Sequence, residues 1–433
     1  MPPYADRHRL MVSGKAGLRQ RLCGAATAVL VVLASSAAGA AALVPPDQAP
    51  ASPPMPQVAQ DVENPSAKVR RQALRALRER GGPETLPLFA RLLADAEPDI
   101  REGALAGVIG VYVPPPPKRS IDGAAEAFQV ARFRVELWPL PDELSRALVK
   151  ALADDWPSVR RDAAYALGIV LTPPVSDAVA FEIMASLSDR EPSVRIAAAR
   201  TLGHLQVRSA GVALVGRIND DDLDVRLASM NALGDLRDEG SVVALTDQFR
   251  FYVRGSAGRA ALSALGAVGQ ESSVPLFEAQ TASGYPAHRW AAYEGLARSG
   301  RAAAAAPRIE AAMASEKDPR VLLAMAFALA SAGRDGVNRV LDALTDRDRA
   351  DAALAYLVEL GRPHVAAIAA RLGDPNPVVR EQIAIALGFI GGPEAAAALK
   401  GASGESDPTV RHALDVAQVR ITRATAEPAP RAH

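Results

Sequence analysis

The chain of 433 residues has almost no cysteine, because Cys23 is the only one. No intramolecular disulfide can form, and beyond that residue neither a cysteine-based zinc site nor a cysteine nucleophile is available. Histidine is also scarce, and the four internal histidines stand in separate copies of a repeat, without the paired spacing of metal ligands. No nucleophile elbow, phosphate-binding loop or dinucleotide fingerprint occurs. We therefore expect no catalytic residues, no metal and no cofactor.

Net charge and aromatic residues are the next absences. Lys+Arg and Asp+Glu both total 49, so no global field attracts nucleic acid or anionic lipid. No basic stripe with interleaved aromatics occurs either, and we expect no nucleic-acid partner. Aromatic residues make up 4% and hydrophobic residues 49% of the chain, and alanine is abundant. This composition favours closely packed helices, because strands are rich in β-branched and aromatic residues.

The first forty residues are predicted to be a secretory signal peptide. Five basic residues precede an uncharged stretch at 22–44, and the small residues of "AGA" at 38–40 suit a cleavage site. This pattern predicts export to a periplasmic or other extracytoplasmic location. The alternative is an uncleaved membrane anchor through residues 22–44, which are numerous enough to span a bilayer. We expect a proline-rich linker over 41–62 and a disordered tail over 423–433.

The rest of the chain is a tandem repeat. The segment "EPSVRIAAARTLGHL" at 191–205 recurs as "WPSVRRDAAYALGIV" at 156–170 and "NPVVREQIAIALGFI" at 376–390. Relative to the Arg of the Val-Arg pair, apolar residues stand at −1, +3 and +7, which is one face of an α-helix, and a second apolar stretch separates the copies. Three weaker copies, centred at Gly258, Leu322 and Ala350, lack the Arg. The sequence predicts an all-α solenoid of about eleven helical hairpins over 63–422.

A glycine stands at position +8 in five copies. Glycine at the end of a helix commonly adopts the left-handed conformation that stops the helix, and we expect this role here. The glycines are Gly168, Gly203, Gly234, Gly266 and Gly388.

The combined spacing resembles the HEAT-repeat family, most closely its short bacterial PBS-lyase HEAT-like repeats. The resemblance covers residues 63 to about 420 and implies a right-handed superhelix. It also implies a structural ladder, in which an Asp before the second helix pairs with the Arg in that helix; a half-buried guanidinium needs such acceptors. We expect the ladder to be interrupted at the three copies without Arg. The ladder residues, each Asp six positions before its Arg, are Asp95 and Arg101, Asp154 and Arg160, Asp189 and Arg195, Asp220 and Arg226, and Asp374 and Arg380.

Residues 112–140 form the largest departure from the repeat. Four consecutive prolines exclude a helix at 114–117, whereas "FRVELW" at 133–138 fits a short strand. We expect this proline-rich insertion to project from one face of the solenoid. Both a tolerated loop and a functional loop fit the pattern.

Positions +1 and +5, which we expect to point away from the core, are apolar or aromatic in the middle of the array. Tyr, Trp and Arg are enriched at protein interfaces, so these positions are candidates for a partner-binding strip. The alternative is that the aromatic rings fill gaps between alanine-sized layers of the core. The candidates at these positions are Ile196, Leu227, Trp290, Leu323 and Phe327. Three residues close to Trp290 in the sequence are added to them: Tyr285, Arg289 and Tyr293.

Taken together, these features predict an exported, non-catalytic scaffold that binds protein partners through the surface of its solenoid. Two alternatives stay open at this stage. One is an enzyme-associated protein similar to bilin lyases, which the resemblance of the repeats implies. The other is a membrane-anchored assembly factor, which requires residues 22–44 to stay uncleaved.

Overall fold

A computed structural model describes residues 53–114 and 123–426 of the chain. The predicted signal peptide, the alternative anchor at 22–44, most of the predicted linker and the last seven residues lie outside the described residues. Within the two described ranges, no helix is long and apolar enough to cross a membrane.

The described residues form twenty-three α-helices and no strand, and twenty-two of these helices pair into eleven hairpins. The predicted all-α solenoid of about eleven repeats is thereby confirmed. The first helices of the hairpins are α1 (Met55–Asp61), α3 (Leu86–Leu92), α6 (Asp142–Ala151), α8 (Asp177–Ala185), α10 (Gly211–Arg217), α12 (Val242–Phe251), α14 (Val274–Gln280), α16 (Ala302–Met313), α18 (Val337–Asp342), α20 (Val365–Ala370) and α22 (Gly392–Gly401). The second helices are α2 (Ala67–Arg80), α4 (Pro98–Tyr112), α7 (Pro157–Val170), α9 (Pro192–His204), α11 (Leu223–Asp235), α13 (Ser256–Val268), α15 (Pro286–Arg298), α17 (Pro319–Ser331), α19 (Ala350–Leu360), α21 (Pro377–Ile390) and α23 (Pro408–Ala426). The remaining helix, α5 (Ala124–Ala131), belongs to the insertion.

The second helices form one continuous layer, because each packs against the second helix of the next repeat from α2 to α23. Most of them begin with proline, whose fixed φ suits the first turn. Side chains of distant repeats meet across this layer. For example, Arg237, just after α11, lies 2.6 Å from Glu359 of α19, although three repeats lie between them. Such contacts require the second helices to line the inner side of a curved stack.

The core follows the predicted apolar positions. Val194, Ala198 and Leu202 of α9 are fully buried, as are the corresponding Val379 and Ile383 of α21. These side chains lie on the face of the second helix that meets the first helix and the neighbouring repeats, so each repeat completes the core of the next.

The glycines at position +8 do not end the helices, and that prediction is wrong. All five lie within second helices and none has a positive φ. A Cβ added to Gly203 would lie 2.8 Å from the Cα of Ala232, and one added to Gly388 would lie 2.8 Å from the Cα of Ala417. These glycines are required because the second helices of successive repeats approach each other closely.

Two predicted boundaries need correction. Helix α1 lies inside the predicted linker. Val58 and Val62 stand four residues apart and form a buried apolar face that packs next to α2, which explains why this segment is helical. At the other end, α23 continues to Ala426, into the predicted disordered tail. Ile421, which is buried, extends the apolar face of this helix to the edge of that tail.

The insertion does not contain the predicted strand. Helix α4 continues through Tyr112, and α5 packs against α7. Residues 132–140, which we call the strap, begin with a turn at 132–133 and continue without helix or strand. Apart from the turn bonds of the Phe133 and Arg134 N–H groups to the Val130 carbonyl of α5, the strap is joined to another described segment by the backbone hydrogen bond from the Glu136 N–H to the Tyr112 carbonyl. A strand needs a neighbouring strand for its ladder, and this all-helical body offers none.

Candidate functional site

The arginine ladder runs between repeats, not within them. The Nε and Nη2 of Arg160 donate to the carboxylate of Asp189 in the next repeat, at 2.6 and 2.8 Å. Its Nη1 donates to the backbone carbonyl of Asp154 in its own repeat, at 2.8 Å. The predicted pair of Asp154 and Arg160 therefore meets only through the Asp154 backbone. The Asp154 carboxylate instead accepts from Arg101 of the preceding repeat.

The same arrangement recurs along the stack, and it corrects the pairing expected inside each copy. One or two carbonyls before the second helix accept from the Nη1 of each guanidinium, so its other edge points to the next repeat. Besides Arg160, the pairs are Arg70 with Asp95, Arg101 with Asp154, Arg195 with Asp220, Arg289 with Glu316, and Arg380 with Glu405.

Four ladder residues were absent from the predicted set: Arg70, Arg289, Glu316 and Glu405. The two glutamates stand six residues before Leu322 and Arg411, the position where other copies have Asp. A search for either carboxylate at that position would have found them. Arg289, predicted to bind a partner, is a ladder residue whose Nε lies 2.7 Å from Glu316.

The ladder is interrupted where the Arg is missing, as predicted, and also where the next repeat lacks the carboxylate. Arg226 has no carboxylate from the next repeat, and its Nε is buried without a hydrogen-bond partner among the described residues. The copy centred at Gly258 has Tyr252 where an Asp would stand. Asp374, which follows the copy at Ala350, pairs with Arg371 of its own repeat at 2.9 Å.

Most of the predicted partner-binding strip is not on the surface. Tyr293, Leu323 and Phe327 are at most 4% exposed, and Ile196 and Leu227 are half-buried against the core. The expectation that positions +1 and +5 face solvent is wrong here, because neighbouring second helices cover both flanks of each second helix. The rings of Tyr293 and Phe327 lie inside the core, which is the alternative given in the sequence analysis.

Trp290 belongs to a polar network on the inner layer. Its Nε1 donates to the Tyr356 hydroxyl at 2.8 Å, and that hydroxyl donates to Glu294 at 2.6 Å. The Tyr356 ring stacks on Phe327 at a centroid distance of 4.3 Å. Burial raises the pKa of Tyr356 well above its usual range. Trp290 is half-buried and fixed in place by this network, so it is a structural residue and not a free contact residue.

The strap crosses the inner side and contacts the last two repeats. The Phe133 ring lies edge-on to the Phe389 ring of α21, with centroids 5.7 Å apart. Three polar contacts accompany it: Arg134 Nε to Glu381 at 3.1 Å, Glu136 to His412 Nε2 at 2.6 Å, and Arg423 Nη2 to the Leu137 carbonyl at 2.6 Å. We expected the insertion to project from one face of the solenoid. The strap does not, and for this part of the insertion the expectation is wrong. The strap joins the third repeat to the tenth and eleventh.

A group of exposed aromatic and basic residues lies at the turns before α13 and α15. We call it the turn patch and define it as residues 250–254, Arg259 and Tyr285. Phe251 is 79% exposed, Tyr252 38% and Tyr285 45%, and the rings of Phe251 and Tyr252 are edge-on at 4.6 Å. Of the predicted strip, only Tyr285 is an exposed side chain. The sequence signal for the others was the density of aromatic residues between 249 and 293.

His288 connects the two turns of the patch. Its ring is 2% exposed and lies 5.1 Å from the Tyr285 ring and 5.5 Å from the Phe249 ring. It also lies within hydrogen-bonding range of the Val253 backbone. Burial and the nearby Arg259 lower the pKa of His288. A neutral, buried imidazole thus contacts both turns, and each turn carries exposed rings.

In the described part of the chain, no group of three or more His, Cys, Asp or Glu side chains could hold a metal ion. His204 is the most strongly perturbed histidine there. Burial and then Arg132 lower its pKa to about 4, and its ring packs on Phe128. It is a half-buried residue that stays neutral at pH 7.

Comparison with known proteins identifies the repeat. A family model described as HEAT repeats matches residues 181–260 and 337–417. No curated protein matches the chain. Solved structures share 12–21% identity with it. An engineered protein has a TM-score of 0.37 and 16% identity, over 84% of this chain and 98% of its own. The CpcE–CpcF complex of phycocyanin lyase from Nostoc has a TM-score of 0.37 and 21% identity, over 66% and 97%.

Importin beta has a TM-score of 0.36 and 12% identity, over 84% of this chain and 56% of its own. With TM-scores below 0.5, these likenesses carry no conclusion about function. The match to the family model and the stacked helical hairpins both indicate HEAT repeats, and neither depends on these likenesses to solved structures. Residues 181–260 and 337–417 are HEAT repeats, and the resemblance read from the sequence is confirmed.

Proposed function

We propose that this chain is an exported, non-catalytic scaffold that binds a protein partner through the turn patch. The observation that carries the proposal is the exposure of Phe251, Tyr252 and Tyr285 on two turns that His288 connects. Elsewhere the array buries many rings, for example Phe249 and Tyr293, although Trp138, Trp156 and Phe181 are also exposed. Aromatic side chains gathered on an exposed surface beside arginine are typical of protein interfaces.

The energy available at this surface is sufficient for specific binding. Burying a Phe or Leu side chain stabilises a complex by about 1.5–3 kcal/mol. Two aromatic anchors therefore supply several kcal/mol before any polar contact is counted, which is the scale of a protein hot spot. The rest of the solenoid serves to hold the two turns at a fixed separation.

Partner binding is tested by comparing two matched double variants. F251S/Y285S removes two exposed rings of the patch. F181S/V212S removes two exposed apolar side chains elsewhere, which are 65% and 88% exposed. We expect F251S/Y285S to bind a partner captured by the wild-type chain at least tenfold more weakly, measured between the two purified proteins, whereas F181S/V212S binds normally. Both variants should melt within about 2 °C of wild type, because the removed groups face solvent.

Equal capture of the same partner by both variants would contradict the assignment of the patch. Export is tested separately, by mass spectrometry of the mature amino terminus. Cleavage after residue 40 supports an exported chain. A chain that keeps residues 22–44 and is found in the membrane fraction favours the anchored assembly factor. A pigment bound to the purified protein would favour the lyase-like alternative.

A further inference from the structure

We propose that the turn patch binds an acidic, extended peptide segment, and that one of its carboxylates binds Arg226 in place of the ladder carboxylate that the next repeat lacks. This inference rests on the proposed function, because it specifies the partner of the same surface. It adds the chemistry by which that partner is recognised.

The first step is the geometry of the empty rung. In six rungs among the described residues, the Nε and Nη2 of an arginine donate to a carboxylate of the next repeat at 2.6–3.0 Å. The Nη1 of Arg226 donates to the Asp220 carbonyl at 2.8 Å, as in those rungs. Its guanidinium is therefore held in the same orientation. Its Nε has no acceptor in the described part of the chain.

The second step is why the next repeat provides no carboxylate. Tyr252 stands at the ladder position, and its carbonyl accepts from the Gly255 N–H at 2.8 Å. A Cβ on Gly258 would lie 2.1 Å from that carbonyl oxygen, so only glycine allows the turn to fold against α13 in this way. In a complete rung, by contrast, the Asp95 carboxylate both accepts from Arg70 and caps the Glu97 N–H. The turn of the patch replaces that carboxylate with a backbone bond.

The third step is the charge around the empty rung. Residues 249–259 contain three arginines, Arg250, Arg254 and Arg259, and no acidic residue. All three are exposed, and none has a carboxylate within 4.0 Å in the described ranges. A chain with no net charge thus concentrates unpaired positive charge at one turn. Acidic groups of a partner would be attracted to it, and guanidinium groups bind carboxylates with paired hydrogen bonds.

The fourth step is the shape of the partner. The patch spans two consecutive turns of the stack, with Phe251 and Tyr252 on one and Tyr285 on the other. An extended segment with an apolar residue next to its acids could contact both turns. A nucleic acid fits less well, because it requires a longer basic track and open ring faces for stacking. Here the positive charge is confined to one turn, and Phe251 and Tyr252 are packed edge-on against each other.

The test uses the full chain and a defined probe. The probe is a fluorescein-labelled twelve-residue peptide of alternating acidic and phenylalanine residues, and its control has each acid replaced by the amide. We expect the acidic peptide to bind at least tenfold more tightly in fluorescence anisotropy, and to weaken as salt is raised. Equal binding of the two peptides would overturn the inference, and so would tighter, patch-dependent binding of a single-stranded DNA oligomer or of phosphatidylglycerol vesicles.

Two pairs of variants locate the binding. R250Q/R254Q/R259Q removes the exposed charge of the patch, and R208Q/R334Q/R339Q removes the same charge from exposed arginines elsewhere. We expect the first to weaken acidic-peptide binding at least tenfold and the second to leave it within twofold. If both weaken it equally, the attraction is general and the patch is not the site.

The Arg226 contact is tested by supplying a carboxylate from the chain itself. Tyr252→Asp should compete with the peptide and weaken its binding at least tenfold more than Tyr252→Asn, which removes the same ring without adding charge. Equal effects of the two would overturn the role of Arg226. A natural partner that depends on Phe251 and Tyr285 while the acidic peptide fails to bind would overturn this inference and leave the proposed function standing.

Discussion

Replacing Arg160 by methionine isolates the energy of one ladder rung, because methionine keeps much of the apolar stem and removes the guanidinium. The side chains of Arg160 and Asp189 are only 8% and 12% exposed. Arg226→Met is the matched control, since Arg226 makes the same carbonyl contact and has no carboxylate. The difference between the two variants measures the bond to the next repeat.

The magnitude follows from what each substitution leaves behind. Without Arg160, the Asp189 carboxylate keeps only the Glu191 N–H, at 2.9 Å, as a hydrogen-bond donor among the described residues. Removing one partner of a buried pair costs about 3–5 kcal/mol, and the slight exposure of this pair favours about 3 kcal/mol. Arg226→Met loses only the bonds to carbonyls, which costs about 1 kcal/mol. We therefore expect a gap of about 2 kcal/mol between the variants.

The pH dependence provides an independent check. Burial raises the pKa of Asp189, but the hydrogen bonds from Arg160 and from the Glu191 backbone outweigh it, and the pKa falls below its ordinary value of 3.8. A carboxylate with a lowered folded-state pKa adds stability above its unfolded pKa and loses it as the pH falls through the folded pKa. The excess stability of wild type over Arg160→Met should therefore be complete at pH 7 and shrink below about pH 4.

The assay is urea unfolding followed by circular dichroism at 222 nm, at pH 7 and pH 3. Hydrogen exchange in α7 and α9 should accompany it, because a solenoid can open locally before it unfolds globally. Equal destabilisation by Arg160→Met and Arg226→Met at pH 7 would refute the reasoning. A gap that stays unchanged at pH 3 would show that it does not come from the Asp189 carboxylate.

Two further predictions concern the inner layer. Phe389→Ala should release the strap and speed tryptic cleavage after Arg134 severalfold, because the edge-on ring contact is lost; unchanged cleavage would mean that the polar contacts hold the strap alone. Tyr356→Phe removes the hydroxyl that joins Trp290 and Glu294, and should lower the free energy of unfolding by about 1–3 kcal/mol in urea titrations. A variant as stable as wild type would show that water or another side chain replaces the hydroxyl.

The repeat could be predicted from the sequence because its determinants are local. The apolar positions around Arg195 repeat with the period of a helix, and Val194, Ala198 and Leu202 are all fully buried in the structure. Most arginines and aspartates of the ladder could be predicted in the same way, whereas Glu316 and Glu405 were missed. The spacing of six residues between Asp189 and Arg195 reflects one helix start, since the Arg195 Nη1 binds the Asp189 carbonyl at 2.9 Å.

The candidate site was predicted less well, because its residues are sorted by contacts between repeats. Trp290, at position +1 of its helix, contacts Tyr356, whereas Phe327, at position +5 of another second helix, is buried in the core. The chain spacing is the same in each copy and cannot distinguish these cases. Tyr252 stands where other copies have Asp, and only the folded turn shows that Tyr252 and Phe251 are exposed.

The sequence by itself determined the unit: two helices, their apolar faces and the carboxylates and arginines that join neighbours. The tertiary structure alone decided which parts of distant repeats meet, such as Phe133 with Phe389 or Arg237 with Glu359. Each repeat is rotated slightly relative to the one before, and these rotations accumulate over the stack. A motif of thirty residues specifies the individual step, whereas the contact between the third repeat and the tenth depends on the sum of all the steps between them.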